Sequence, residues 1–320
     1  MPHVLIAGSL HRSGIALLNS TSGVTYDYVE EVSEESYAPF IGAADGLIIR
    51  TQPLSAETVE RAPRLKIVSR HGVGYDSVDL NALNAREIPL CIVGDVNSIS
   101  VAEHAMTLIL ACAKFLVRAD RSVRDGKWGW RNKLEVGEVS GKRLLILGYG
   151  RAGRHLARMA AGFGMDIRAY DPFLSNSGNW PAGPVEAVDS LLDGLASADF
   201  ISINVPRADK PLIGDAELQR VKPGVILVNT ARGGVVDEAA LAAALADGRV
   251  AAAGLDVFDD EPPAAGNPIL AFDQAILTPH VAGLTAQAAE RMAVASVRNV
   301  LDFFAGRLDP ALIVNKGFKK

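Results

Sequence analysis

Three apolar runs in the second half of the chain each end on an ionisable side chain. GVILVNTARGG delivers Arg232 ahead of two glycines, AAAGLDVFDDEPP delivers Asp256 and then Glu261 ahead of two prolines, and AILTPHVAG delivers His280. Taken singly, each has an ordinary reading: an ion pair at a helix terminus, a solvated loop acid, a packed histidine. Taken together they form a chemical set. A guanidinium is a planar fork that can hold a carboxylate through two hydrogen bonds while polarising a neighbouring carbonyl. An imidazole can give a proton to a carbonyl oxygen and take it back. A carboxylate beside the ring fixes its tautomer and favours the imidazolium form. The combination suits reversible reduction of a 2-keto acid, provided that something supplies hydride.

A hydride carrier is implied upstream. The run KRLLILG leads directly into Gly148-Tyr149-Gly150-Arg151-Ala152-Gly153 and then into RHLARMAAGFG, whose Leu156, Ala160 and Phe163 share one helical face. This is GxGxxG in the context it requires, after a strand and at the start of a helix. The first glycine allows the tight turn, the second lets the backbone approach a pyrophosphate, and the third lets the helix pack on the strand. The helix amino terminus then faces the phosphates. The next apolar run, DIRAYD, ends in Asp171, eighteen positions beyond Gly153. An acid there would bond the adenosine ribose hydroxyls and repel a 2′-phosphate, which selects NAD over NADP. A glycine turn for another adenosine ligand, such as a methyl donor, is the alternative.

These groups must be held by strands. HVLIAG, DGLIIR, LKIVSR and IPLCIV recur in the first hundred residues, and a second series runs from RLLILG through DIRAYD, DFISINV, GVILVNT and AAAGLDVF to QAILTPH. Short apolar runs between helical patterns read as parallel strands buried on both faces. In such sheets ligands bind outside the carboxyl ends of the strands, so Arg232, Glu261 and His280 can converge on one site. Between the two series, SISVAEHAMTLILACAKFLVRADRSVRDG has helical spacing and no Gly or Pro before its end, and predicts one long connecting helix. TAQAAERMAVASVRNVLDFFAG predicts another, ending at Gly306. Two crossings make the first domain discontinuous. The fold class is therefore α/β: two doubly wound parallel-sheet domains, Rossmann- and flavodoxin-like, with the cofactor domain (101–285) inserted in a substrate, or catalytic, domain (1–100 plus 286–320).

LGYGRAGRHLA, NTARGGVVDE, GLDVFDDEPP and TPHVAG, with GVGYDSVDL and VNSISVAEH earlier in the chain, resemble the NAD-dependent D-2-hydroxy acid dehydrogenase family, especially its phosphoglycerate dehydrogenase-like branch. The likeness runs nearly the full length. It implies that Arg232, Glu261 and His280 are the catalytic trio, with His280 as acid/base and Glu261 as its partner. It implies cofactor contacts from Gly148, Gly150, Arg151, Ala152 and Gly153 at the pyrophosphate and from Asp171 at the ribose. Val205, Pro206, Thr230 and Ala231 would lie along the cofactor, with Asp256 near the nicotinamide and Gly283 beyond it. Substrate contacts would come from Gly72, Val73 and Gly74, with Asn97 nearby, besides Arg232 and His280. Arg50 and Arg70 stand where members of the branch hold a phosphate, and His71 could read a distal polar group or simply pack its loop. Two positions depart from the pattern: Asn204 stands where many members carry His, and Trp130 where another basic residue falls.

The resemblance leaves hydroxypyruvate, glyoxylate, 3-phosphoglycerate with its keto acid, and dicarboxylic or sulfonated keto acids as substrates, and implies a homodimer built on the long helix and the segment of Trp128 and Trp130. A dinucleotide-sensing binding protein or corepressor of the same fold is the other class. A formate dehydrogenase relative would carry Gln in place of Glu261. The chain ends after LIVNKGFKK, so control through an appended regulatory domain is not expected.

Composition narrows the remaining classes. At 320 residues and net charge −5, with acidic and basic residues interspersed, the chain carries no basic stripe for nucleic acid. The most apolar helical stretch, from Ala105 to Val117, is interrupted by Lys114 and too short for a bilayer, so no membrane is expected. Cys91 and Cys112 sit in apolar surroundings with neither metal-ligand nor disulfide spacing, and MPHVLIAGS lacks the features of a signal peptide. A reducing cytoplasm and no metal are the expectations.

Overall fold

A computed structural model of the chain describes residues 1–315. The chain divides into two compact units, one formed by Met1–Asn97 with the chain from Leu284, the other by Ser98–Gly283. The expected domain bounds, 100/101 and 285/286, lie within three residues of these, and the last five residues assigned to the substrate domain fall outside the described ones.

The first unit is a five-stranded parallel sheet of β1 (His3–Ala7), β2 (Thr25–Val29), β3 (Gly46–Ile49), β4 (Ile67–Arg70) and β5 (Leu90–Cys91), in the order β2-β1-β3-β4-β5. Its central strands are buried on both faces, which is why they read as unbroken apolar runs. The helix Ala286–Phe304 returns to cover one face. Gly46 lets it approach, since a Cβ there would lie 2.9 Å from Val300 Cγ1. Buried Asn299 ties the same helix to the sheet by donating to Ser69 Oγ at 3.2 Å and to the Ile92 carbonyl at 3.1 Å.

The second unit is a seven-stranded parallel sheet: β6 (Arg143–Leu147), β7 (Asp166–Tyr170), β8 (Glu186–Ala187), β9 (Phe200–Ile203), β10 (Val225–Asn229), β11 (Val250–Leu255) and β12 (Ala275–Leu277). The order is β12-β11-β10-β9-β6-β7-β8, so the chain reverses direction across the sheet between β6 and β9. In doubly wound sheets that reversal opens the crevice in which ligands bind. One core, with Leu195, Leu241 and Leu245 from the helices, fills one face. The helices Ser98–Ala113 and Arg151–Gly162 seal the other with Ala105, Ile109, Leu156 and Ala160. Phe163 lies just past the second helix and is exposed, contrary to its expected place on the apolar face.

The expected long connecting helix is two helices. Ser98–Ala113 ends, Phe115 takes a left-handed conformation (φ 45°), and Leu116–Arg124 continues at a 57° bend. The cause is a competitor for the helix's last carbonyls. Gly137 N–H donates to the Ala113 carbonyl at 2.9 Å and Lys114 Nζ to the Gly137 carbonyl at 2.7 Å, so the returning chain takes the bond that a further helical turn would need. Among the described residues, no single helix is long and apolar enough to cross a membrane.

Candidate active site

In the second unit the strand ends are in register, with Asn229 beside Leu255 and Leu255 beside Leu277. Adjacent strands lie about 4.8 Å apart. The loops that follow β10, β11 and β12 therefore emerge side by side, carrying Arg232, Glu261 and His280.

His280 Nδ1 lies 2.7 Å from Glu261 Oε2, and both side chains are partly open to solvent. Glu261 is held in turn by the Phe258 N–H, which donates to Oε1 at 3.2 Å. His280 has φ 52°, a left-handed conformation that costs a residue with a Cβ on the order of 1 kcal/mol and persists only where its surroundings impose it. Asp256 imposes it. The Asp256 carbonyl accepts from His280 N at 2.8 Å, Oδ1 from Val281 N at 2.9 Å and Oδ2 from Ala282 N at 2.8 Å, so three successive N–H groups converge on one residue. The Asp256 carboxylate, expected near the nicotinamide, is fully buried and engaged with the histidine loop.

Arg232 is mounted on a turn shaped by buried Asn229. Asn229 Oδ1 accepts from Ala231 N at 3.0 Å and Nδ2 donates to the Arg232 carbonyl at 2.9 Å. Arg232 Nη1 donates to the Ala231 carbonyl at 2.7 Å, which aims the guanidinium back over the strand end. The two glycines that follow lock this turn to the next loop: Gly233 packs on the Phe258 carbonyl, and Gly234 N–H reaches Asp259 Oδ1 at 2.5 Å. Asn229 and the packing role of Gly233 escaped the sequence reading. An amide at a strand end and a small residue after an arginine have many uses, and only the register shows what they meet.

Beside these loops, the glycine-rich turn follows β6. A Cβ on Gly148 (φ +91°) would lie 2.7 Å from the Asn204 carbonyl, and one on Gly153 would lie 2.3 Å from the Gly148 carbonyl, so neither admits a side chain. A Cβ on Gly150 would meet nothing within 4 Å. That open space lies at the N-cap of the helix Arg151–Gly162, which has no side-chain cap, so its first N–H groups are available to an anion. Arg151 and Ala152 occupy its first two positions. Asp171, at the exit of β7, accepts from Tyr149 N at 3.0 Å and from Phe173 N and Leu174 N at 3.1 Å, placing its carboxylate against the glycine turn. Thr230 carries a buried hydroxyl with no hydrogen-bond partner among the described residues, as a group that takes a ligand does. These features fit a dinucleotide: the glycine turn would hold its pyrophosphate and Asp171 its ribose. Val205 and Ala231 are half-buried at the neighbouring strand ends, and Pro206 is exposed. Asn204 turns back onto its own strand, its amide bonding the Ser202 carbonyl and hydroxyl at 3.2 and 3.0 Å. Gly283 is the last residue of the unit.

The substrate residues expected from the first unit cluster at the exits of β3 and β4. Arg70 donates to the His71 carbonyl at 3.1 Å, and Arg50 reaches the Ser9 carbonyl at 3.4 Å. Gly72 has φ +149°, a conformation that L side chains rarely adopt, and accepts from Val93 N at 3.2 Å; Val73 and Gly74 continue the loop, half-buried. His71 is buried, with neither ring nitrogen hydrogen-bonded among the described residues, and burial followed by the charge of Arg50 and then of Arg70 pushes its pKa down to about 4. Its imidazole is neutral at physiological pH. Asn97 is half-buried at the unit's boundary. Trp130 lies under the Arg118 guanidinium, 5.8 Å from the ring centre.

Residues 106–282 match the family described as D-isomer specific 2-hydroxyacid dehydrogenase, NAD binding domain. The chain is 38% identical over 306 residues to D-3-phosphoglycerate dehydrogenase of Archaeoglobus fulgidus, a match covering 95% of this chain and 57% of the relative. It thus spans a little over half the length of that relative. It is 35% identical over 326 residues to glyoxylate reductase of Pyrococcus furiosus, covering 98% of this chain and 95% of the relative. Among solved structures, D-lactate dehydrogenase of Aquifex aeolicus, complexed with NAD and lactic acid, superposes with a TM-score of 0.81 at 27% identity over 95% of this chain and 96% of that one. The chain belongs to the D-isomer specific 2-hydroxyacid dehydrogenase family.

Proposed function

We propose that the protein interconverts a 2-keto acid and a D-2-hydroxy acid, with NAD(H) as the redox partner and NAD preferred over NADP. The observation that carries this reading is the 2.7 Å contact from His280 Nδ1 to Glu261 Oε2, on a loop beside a glycine-rich turn suited to a dinucleotide. When bound, the reduced nicotinamide supplies hydride to the carbonyl carbon. His280 gives a proton to the carbonyl oxygen through Nε2, the nitrogen that faces away from Glu261, and recovers it in the oxidation direction. Glu261 holds the ring in the tautomer that makes Nε2 the working atom. Arg232 grips the substrate carboxylate and polarises the adjacent carbonyl. Asp171 supports the NAD preference, because a 2′-phosphate would meet its carboxylate.

Arg50, Arg70, His71 and the loop Gly72-Val73-Gly74 are the substrate residues of the first unit under this reading, with Asn97 beside them. The charge of two guanidiniums favours keto acids with a second polar or anionic group, such as hydroxypyruvate or its phosphate, over glyoxylate.

We also propose a homodimer. The helix Leu116–Arg124 has no buried residue, and Leu116, Val117, Val123, Trp128, Leu134 and Val136 are exposed along it and the segment that follows. A second copy of the chain would cover them.

A panel of 2-keto acids, assayed for oxidation of NADH and NADPH by the purified protein, tests reaction, cofactor and substrate together. Lack of turnover with every acid and both cofactors would refute the enzymatic reading and leave a dinucleotide-binding role.

A further inference from the structure

We propose that His104, acting through Thr278, is a positioning residue for the His280 loop. The proposal rests on the reading of His280 as the proton donor. His104 lies on the helix Ser98–Ala113, one turn before Leu108, on the same helical face. Leu108 packs where Gly254 of β11 has no side chain: a Cβ on Gly254 would lie 2.9 Å from Leu108 Cβ. That close approach brings His104 to the loops that follow β11 and β12. Its Nε2 lies 2.9 Å from Thr278 Oγ1 and 3.5 Å from Asp256 Oδ1, and Thr278 Oγ1 lies 2.5 Å from Asp256 Oδ1.

The direction of each hydrogen bond follows from counting protons. Asp256 as a carboxylate has only acceptors, and each oxygen takes a backbone N–H, Val281 on Oδ1 and Ala282 on Oδ2. Thr278 has a single hydroxyl proton, which must go to Oδ1. The side of Oγ1 toward His104 is then a lone pair, and Nε2 must carry hydrogen. His104 is therefore a donor to Thr278, Thr278 a donor to Asp256, and Asp256 the acceptor for the N–H groups of 281 and 282. The chain ends at the two residues that follow His280, whose left-handed backbone aims the imidazole. Without the histidine donor, the hydroxyl is free to turn, and the buried carboxylate loses the fixed partner that keeps both oxygens directed at the loop.

The test compares His104→Leu, which removes the donor, with His104→Gln, whose amide can donate from nearly the same place, and pairs both with Thr278→Val and Thr278→Ser. The expected result is a fall in kcat of about tenfold for His104→Leu with NADH affinity unchanged, recovery of most of that loss in His104→Gln, and no further loss when Thr278→Val is added to His104→Leu, since one chain is cut twice. Thr278→Ser keeps kcat. A kcat within twofold of the parent for His104→Leu overturns the proposal, as does a loss that Gln does not restore or that adds fully to that of Thr278→Val. Amide exchange at Val281 and Ala282 reads the same chain without turnover. Exchange should quicken at least tenfold in His104→Leu and Thr278→Val but not in Gln or Ser, and unchanged protection overturns the proposal even if no substrate is ever turned over.

Discussion

Gly233 is packed so closely on Phe258 that a Cβ on it would lie 1.7 Å from the Phe258 carbonyl oxygen. No side-chain movement relieves a backbone contact of that kind, so the loop after β10 and the loop after β11 are fixed to each other at the residue following Arg232. Phe258 N–H in turn holds Glu261. The guanidinium and the carboxylate–imidazole pair are thereby parts of one rigid assembly.

Gly233→Ala should therefore act as an active-site mutation although glycine performs no chemistry. The methyl group must push the Phe258–Asp259 backbone away, and a displacement near 1 Å at the reacting groups costs about 100-fold in rate. Gly266→Ala, in the same unit with open space around its α-carbon, is the control and should leave kcat/KM nearly unchanged. Equal activities for the two variants would show that the loops are not mutually fixed.

His280→Gln should lower kcat by about 100-fold or more, the range that a positioned proton donor supplies, while NADH affinity measured by fluorescence titration stays the same. A near-parental kcat would remove His280 from its role. Arg232→Lys tests the other half of the site. An ammonium keeps the charge but cannot reproduce the two parallel hydrogen bonds, so kcat/KM should fall about 10- to 100-fold. An unaltered value would place the substrate carboxylate elsewhere.

Asp171 has two tasks that substitution can separate. It accepts from Phe173 N and Leu174 N as the cap of the helix Pro172–Ser177, and it presents charge to the ribose position. Asp171→Asn keeps a capping oxygen without the charge, so the ratio of NAD to NADP efficiencies should narrow with little change in stability. Asp171→Ala loses both, narrowing the ratio and destabilising by about 1 kcal/mol. Steady-state kinetics with each cofactor and urea unfolding distinguish the two effects; a ratio unmoved in both variants would show that Asp171 does not set cofactor choice.

The central strands, with the ends of β10 and β11 that lead to Arg232 and Glu261, could be read from the sequence because burial on both faces leaves unbroken apolar runs. The strand β12, a three-residue edge strand only half-buried, still shows as AIL ahead of His280. The strand β2 could not: TYDYV lies at a sheet edge with no buried residue, so it lacks the apolar run, and β8 is a two-residue edge strand. The break at Phe115 was hidden because neither Gly nor Pro marks it; its cause, Gly137, lies more than twenty residues away. Three site residues, Asn229, Thr278 and His104, were hidden for the same reason. Their contribution is a hydrogen bond to a loop distant in sequence, and a polar residue beside an apolar run does not announce its partner. Asp256 is a further case: its place at a strand exit points to a ligand, and only the structure shows that its carboxylate also holds the next loop.

His71 gives the first unit a pH dependence whose sign can be worked out. Its pKa falls from 6.5 to about 4, first because burial disfavours the charged ring, then because Arg50 and Arg70 repel it. In the unfolded chain the same ring takes a proton as pH drops below its ordinary value, while the folded protein stays unprotonated until about 4. Between these values the unfolded state binds the extra proton, so the contribution of His71 is fully present above the ordinary value and is lost as pH falls through this window. From pH 7 to pH 5 that loss is about 2 kcal/mol. His71→Phe removes the titration and keeps an apolar ring of similar size. The stability of the parent minus that of the variant, from urea unfolding at a series of pH values, should therefore decline by about that amount across the interval. Carboxylates held below their usual range, such as Asp45 beside Arg64 and Asp199 beside Lys222, are common to both proteins and cancel in the difference. A difference independent of pH would mean that His71 takes up its proton in the folded state as readily as in the unfolded one, and that its ring reaches water in solution.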